Sequence, residues 1–178
     1  MTPVAALHAR LAKLTEYDND IAEHLQRLYE LVLATNAQIV VELGPGSGNS
    51  TTGLLRGVEE TSGRVWSCDV AYCDYIHPEV ANHSQWTYVV ANDLVAVNEC
   101  PRPIDFLFID SEHTYQQTLN EMLAYVPLVR SGGYVAMHDT VVWKQFMLPA
   151  IHDYSIERPF VSEEWYQHCN GLFVGQVA

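Results

Sequence analysis

The stretch Val40-Val41-Glu42-Leu43-Gly44-Pro45-Gly46-Ser47-Gly48-Asn49-Ser50-Thr51 leaves a chain few ways to fold. An apolar run ends in a carboxylate, passes through three glycines at alternate positions and meets residues able to cap a helix. Glycine tolerates positive φ and lets a ligand lie against bare backbone. Ser50 is placed to accept from the open N–H groups of a first helical turn, or to share them with an anionic group. Strand, glycines and helix in that order predict the opening of a nucleotide-type α/β sheet.

A dinucleotide fingerprint needs glycines at its first, third and sixth positions. Here the sixth position is Asn49 and the third glycine comes early, at Gly48. An NAD-dependent oxidoreductase is therefore the weaker reading, although Asp69 suits it. The Glu42-Leu43-Gly44-x-Gly46-x-Gly48 string resembles motif I of class I S-adenosylmethionine-dependent methyltransferases. That resemblance implies a cofactor held by Glu42, Gly44, Gly46, Gly48 and Ser50.

Along the chain, Thr2-Pro3 predicts a helix start, with Leu7, Leu11 and Leu14 on one face. Asp20 and Glu23 have capping-box spacing ahead of an apolar stripe from Ile21 to Val32. These two helices, within residues 1–35, are expected to cover the sheet or the cofactor mouth and to offer a homodimer contact. The core then runs over 36–178, the whole chain forming one domain. Strands are expected at about 38–43, 65–69, 86–91, 104–110 and 134–137, and helices at about 50–60, 115–129 and 141–153. Residues 70–85 read as a loop with room for a short helix. Ser131-Gly132-Gly133 should stop the helix before the fifth strand, and apolar stretches near 159–162 and 172–177 read as a terminal hairpin. The alternation predicts a Rossmann-like α/β/α sandwich of three layers, with a mostly parallel seven-stranded sheet and an antiparallel C-terminal hairpin.

Ligands of open α/β sheets sit at the carboxyl ends of the strands. Glu42, Asp69, Asp93, Asp110, His113, His138 and Asp139 all follow predicted strands. Asp69 is placed to accept from two ribose hydroxyls at once. Asp110 and Asp139 offer hard oxygens suited to Mg²⁺ or Mn²⁺, and His138 as a third ligand would shift the choice towards Mn²⁺, Fe²⁺ or Zn²⁺. Side chains of adjacent strand residues point to opposite faces, which sets His138 and Asp139 against each other as ligands.

Asp110-Ser111-Glu112-His113-Thr114-Tyr115, Ser131-Gly132-Gly133 and His138-Asp139-Thr140 widen the likeness. Over roughly 24–141 the chain resembles the small O-methyltransferases typified by catechol O-methyltransferase and natural-product enzymes. The resemblance implies that Asp69 holds the cofactor ribose, that Asn92 or Asp93 meets the adenine amine, and that Asp110 and Asp139 are metal aspartates. Thr140 stands where those enzymes have an asparagine ligand. His113 stands where the catechol enzymes have a catalytic lysine, and a histidine can be a neutral base near pH 7. The implied reaction is methyl transfer to a small-molecule hydroxyl, with His113 and Asp110 catalytic. Tyr72, Tyr75, Trp143 and Trp165 are candidates for an acceptor pocket, against a default of ordinary packing.

The totals set limits on partners. A formal net charge of −13 disfavours phosphate backbones and hence nucleic acid. Four cysteines without a Cys-x-x-Cys pair suit a reduced, cytoplasmic compartment, and no apolar run has membrane-spanning length. A metal- or nucleotide-binding domain without catalysis is the remaining alternative, since little chain is left over for a substrate lid.

Overall fold

The structure, a computed structural model, describes residues 3–16 and 19–178. The cap expected at Thr2 lies outside the described residues. Seven strands form one sheet: β1 Ile39–Leu43, β2 Arg64–Asp69, β3 Trp86–Val90, β4 Ile104–Ile109, β5 Val129–His138, β6 Ser162–Tyr166 and β7 Leu172–Gln176. Their order is β3-β2-β1-β4-β5-β7-β6. The first five run parallel, and β7 is antiparallel to both β5 and β6. The helices are α1 Pro3–Glu16, α2 Leu25–Ala34, α3 Asn49–Thr61, α4 Pro78–Ala81, α5 Asp93–Ala96, α6 Tyr115–Tyr125 and α7 Lys144–Glu157. This is the expected three-layer, mostly parallel architecture.

The alternation within β4 explains the layers. Phe106 and Phe108 join Val40, Val65 and the apolar faces of α2 and α3 in one core. Leu107 and Ile109 join Val41, Leu43, Met122, Tyr125 and Ile151 in the other. A strand with both faces covered in this way reads as a continuous apolar run.

Four details differ from expectation. Asp20 and Glu23 form no capping box; a 3₁₀ turn at Ala22–His24 leads into α2 instead, and Asn19 Oδ1 accepts the Ile21 N–H at 3.2 Å. Helix α6 ends at Tyr125, and its buried stripe is Thr118, Glu121, Met122 and Tyr125, leaving Leu123 exposed. Ser131-Gly132-Gly133 stops no helix; residues 130–133 bulge out of β5, whose pairing jumps from Ile104–Val129 to Phe106–Tyr134. The first hairpin strand lies at 162–166, later than expected, because its register is set by pairing with β7.

At the amino-terminal rim of the sheet, Asp105 ties three segments together. Its Oδ2 accepts the N–H groups of Gln38 and Ile39, both at 2.8 Å, while Oδ1 accepts from Arg130. Arg130 Nη2 also donates to the Thr35 carbonyl at 2.8 Å. Removing a buried acceptor strands its donors. Asp105→Ala should therefore cost about 2 kcal/mol in urea denaturation, more than Arg130→Ala, and a cost equal to that of an exposed site contradicts this account.

Candidate active site

The turn after β1 is held from beneath by Glu42. Its side chain is fully buried, with Oε1 accepting from Ser50 Oγ at 2.7 Å and Oε2 from Thr51 Oγ1 at 2.8 Å and Ser67 Oγ at 2.5 Å. Burial pushes this carboxyl above its ordinary range, and the three hydroxyls act against that rise. Glu42 therefore faces the protein interior and not a ligand. Ser50, expected to cap α3, instead donates its hydroxyl to Glu42, and the helix starts from Gly48 in a left-handed conformation with no side-chain cap.

The glycines divide by role. Gly44 has φ +80°, and a Cβ there would lie 2.2 Å from the Asp110 carbonyl oxygen. Only glycine lets the β1 and β4 ends approach so closely. Gly46, at φ +48°, has nothing within 4 Å of the place a Cβ would take. Beside Gly48 that place meets Val80 and Ile76, so its function is in packing.

Above Gly44 and Gly46 opens a cleft of about 320 Å³, also lined by Asp69, Asn92, Asp93, Asp110, Ser111, Glu112 and Gln117. Asp69 is partly exposed there, its Oδ1 only weakly engaged by the Ala71 N–H at 3.5 Å. Asp93 is buried and accepts the Leu94 N–H at 2.6 Å. Gln117 Nε2 donates to both Asp93 oxygens, at 2.9 and 3.0 Å, and to Glu121 Oε1 at 3.0 Å. Glu121 is fully buried and also accepts from Ser111 Oγ. Burial, followed by its hydrogen bond with Asp93, pushes the Glu121 carboxyl up to about 9.

Next to the cleft, at the ends of β4 and β5, one imidazole stands between two acids. His113 Nε2 lies 3.3 Å from Asp110 Oδ1 and 3.3 Å from Asp139 Oδ2. One donor atom from each of the three residues falls within 4.8 Å of the others, which makes Asp110, His113 and Asp139 a donor set that could hold a cation. His138, expected as a ligand, lies outside this set. Its Nε2–H donates to the carbonyls of Asp20 at 2.9 Å and Cys169 at 3.0 Å, while Nδ1 faces Asp110 Oδ1 at 3.3 Å. A ring whose two nitrogens both face acceptors binds both protons. Burial resists that charge, but Asp110 and Asp139 outweigh it and raise His138 to about 9. Asp110 is lowered: burial would raise it, but hydrogen bonds from His113 and His138 prevail. Asp139 is raised, chiefly by burial. Thr140 supplies no amide, yet an asparagine does reach the cluster, since Asn170 in the β6–β7 turn hydrogen-bonds Asp139.

Of the four aromatics considered for an acceptor pocket, Trp143 stands beside this cluster, stacked on His113 with ring centroids 6.2 Å apart. Tyr72 packs on Tyr88, Trp165 packs on Phe173, and Tyr75 is exposed. Gln117 and Glu121 escape a reading based on strand ends because they lie on a helix. Their signal was an acid inside the buried stripe 118–121–122–125.

The geometry agrees with comparison to known proteins. The profile of a methyltransferase-domain family matches residues 41–140. The chain belongs to that family, and its fold is that of the class I S-adenosylmethionine-dependent methyltransferases. An O-methyltransferase from Bacillus cereus, solved in complex with S-adenosylhomocysteine, superposes with a TM-score of 0.73 at 19% identity, covering 100% of this chain and 91% of that one. The MycE methyltransferase of mycinamycin biosynthesis, solved with Mg and S-adenosylhomocysteine, gives 0.64 at 15% identity, covering 88% of this chain and 49% of its own. An uncharacterized protein of Acanthamoeba polyphaga mimivirus is 37% identical over 54 residues, 29% of this chain and 24% of that protein. Among the described residues no helix is long and apolar enough to cross a membrane.

The raised Glu121 gives a pH test. An unfolded glutamate releases its proton near pH 4.5, whereas the folded one keeps it to about 9. The folded state thus binds the extra proton between those values, and stability falls as pH rises through that window. His138, raised from 6.5 to about 9, adds its own decline above pH 6.5, so the clean window lies below it. Between about pH 4.5 and 6.5, urea denaturation should show Glu121 contributing a decline of up to about 1.4 kcal/mol per pH unit that is missing from Glu121→Gln; parallel pH profiles for the two proteins there would refute the assignment.

Proposed function

We propose that this protein is an S-adenosylmethionine-dependent O-methyltransferase acting on a small-molecule hydroxyl. One observation supports it above the rest: Asp110 both lines the glycine-floored cleft and hydrogen-bonds His113, so a cofactor site and a proton acceptor share one residue. When bound, S-adenosylmethionine supplies a methyl group on a sulfonium. Gly44 and Gly46 leave bare backbone for it, Asp69 accepts from its ribose hydroxyls, and Asn92 and Asp93 stand at its base.

His113 is the proposed base. Its Nε2–H, held between Asp110 and Asp139, fixes the ring and leaves Nδ1 to take the acceptor's proton. With the cofactor bound, the acceptor oxygen would lose that proton to His113 as it bonds to the methyl carbon, the methyl–sulfur bond breaking to leave S-adenosylhomocysteine as the neutral thioether. Holding oxygen and methyl in line accounts for most of the acceleration.

The same trio fits a divalent ion such as Mg²⁺ or Mn²⁺, with Asp110, Asp139 and His113 as ligands. Such an ion lowers the pKa of a bound hydroxyl. His113 Nε2 then serves as a ligand instead of a hydrogen-bond donor. Magnesium in MycE supports this version.

Calorimetric titration should give a dissociation constant on the order of micromolar for S-adenosylmethionine or S-adenosylhomocysteine, and no quenching of NADH fluorescence. Binding of NADH alone reverses the cofactor assignment. His113→Ala should lower turnover about 10²- to 10⁴-fold while leaving cofactor affinity within about twofold. Chelation decides the metal: activity retained in excess EDTA removes the ion from the reaction.

A further inference from the structure

The cofactor end of the cleft contains a side chain whose orientation is fixed by its neighbours. Gln117 Nε2 has two hydrogens, one shared between the Asp93 oxygens and the other given to Glu121 Oε1. Asp93, whose two carboxylate oxygens both face this atom, establishes that it is the nitrogen, since an amide oxygen there would face other acceptors. Gln117 Oε1 consequently points away from both. It accepts no hydrogen bond among the described residues, nor is it among the buried polar atoms left without a partner, so it is open to the cleft that Gln117 lines.

We propose that Gln117 reads the base of the bound nucleoside, its Oε1 accepting from the exocyclic amine of adenine while Asp93 and Glu121 hold the amide in that orientation. This rests on the reading above that the cleft binds S-adenosylmethionine. Adenine presents an N–H donor at its sixth position. Hypoxanthine presents a carbonyl oxygen there, which would meet Oε1 acceptor to acceptor. A site built to pair with a donor rejects an analogue lacking it, because its own polar group is left unpaired. Gln117 is on this account a specificity-determining residue, and Glu121 a positioning residue acting through it.

The test is titration of the full chain with S-adenosylhomocysteine and with its inosine counterpart, for wild type, Gln117→Met and Gln117→Ala. The ratio of the two affinities is the readout, because general loosening of the fold weakens both ligands together and leaves the ratio unchanged. Wild type should prefer the adenine ligand by about tenfold or more, and either folded variant should bring that ratio close to unity. Equal binding of both ligands by wild type overturns the proposal, as does a preference that survives in the variants; in either case the cofactor reading stands. Failure of folded wild type to bind either ligand overturns both.

Discussion

Glu42 is the member on which the remaining site geometry depends. A carboxylate with no exposure to water is costly to bury, and here three hydroxyls meet its two oxygens. Ser67 comes from β2, Ser50 and Thr51 from the first turn of α3, and Glu42 itself from β1. One acid therefore joins two strands to the helix that follows the glycine turn. Because that helix start is fixed from below, the turn needs no cap above it, and its upper surface at Gly46 stays free. Replacing the hydroxyl partners with apolar groups would leave Glu42 with unpaired oxygens in a dry interior, where the energetic penalty is largest.

The second half of the site depends on charge. Two aspartates from neighbouring strand ends repel one another and need donors to hold them together. His113 lies between them at the surface of the cluster, and His138 lies behind Asp110, buried and doubly hydrogen-bonded. His138 is thus a fixed internal cation that keeps Asp110 ionised, and His113 is left as the group that can change partners. The same division explains the opposite displacements of the two acids, with Asp110 lowered and Asp139 raised.

Much of this was legible in the chain because the signals were local. The Val40–Thr51 stretch encodes a strand, a turn and a helix within a dozen residues, and β4 spells out a two-sided buried strand. Placement of acids after strands located Asp69, Asp110 and Asp139 on one rim. Direction was not legible. Whether Glu42 and Ser50 face a ligand or each other depends on Ser67, seventeen or more residues away. His138 read as a ligand because nothing nearby in sequence announces Asp20 and Cys169, whose carbonyls claim its second nitrogen. The inward turn of Thr118 and Glu121 on α6 is equally hidden in the sequence, because their apolar neighbour Leu123 is the one left exposed.

The turn joining β6 to β7 reaches back across the molecule. The Cys169 carbonyl accepts from His24 at 3.2 Å and from His138 at 3.0 Å, and Asn170 meets Asp139. Every residue lining the glycine-floored cleft lies at or before position 117, whereas the imidazole behind Asp110 is anchored by position 169. The lining of the cleft is thus encoded well ahead of the turn that secures the imidazole behind Asp110. The residues that line the cleft all precede β5, whereas the charged cluster beside it is pinned by the turn between the last two strands.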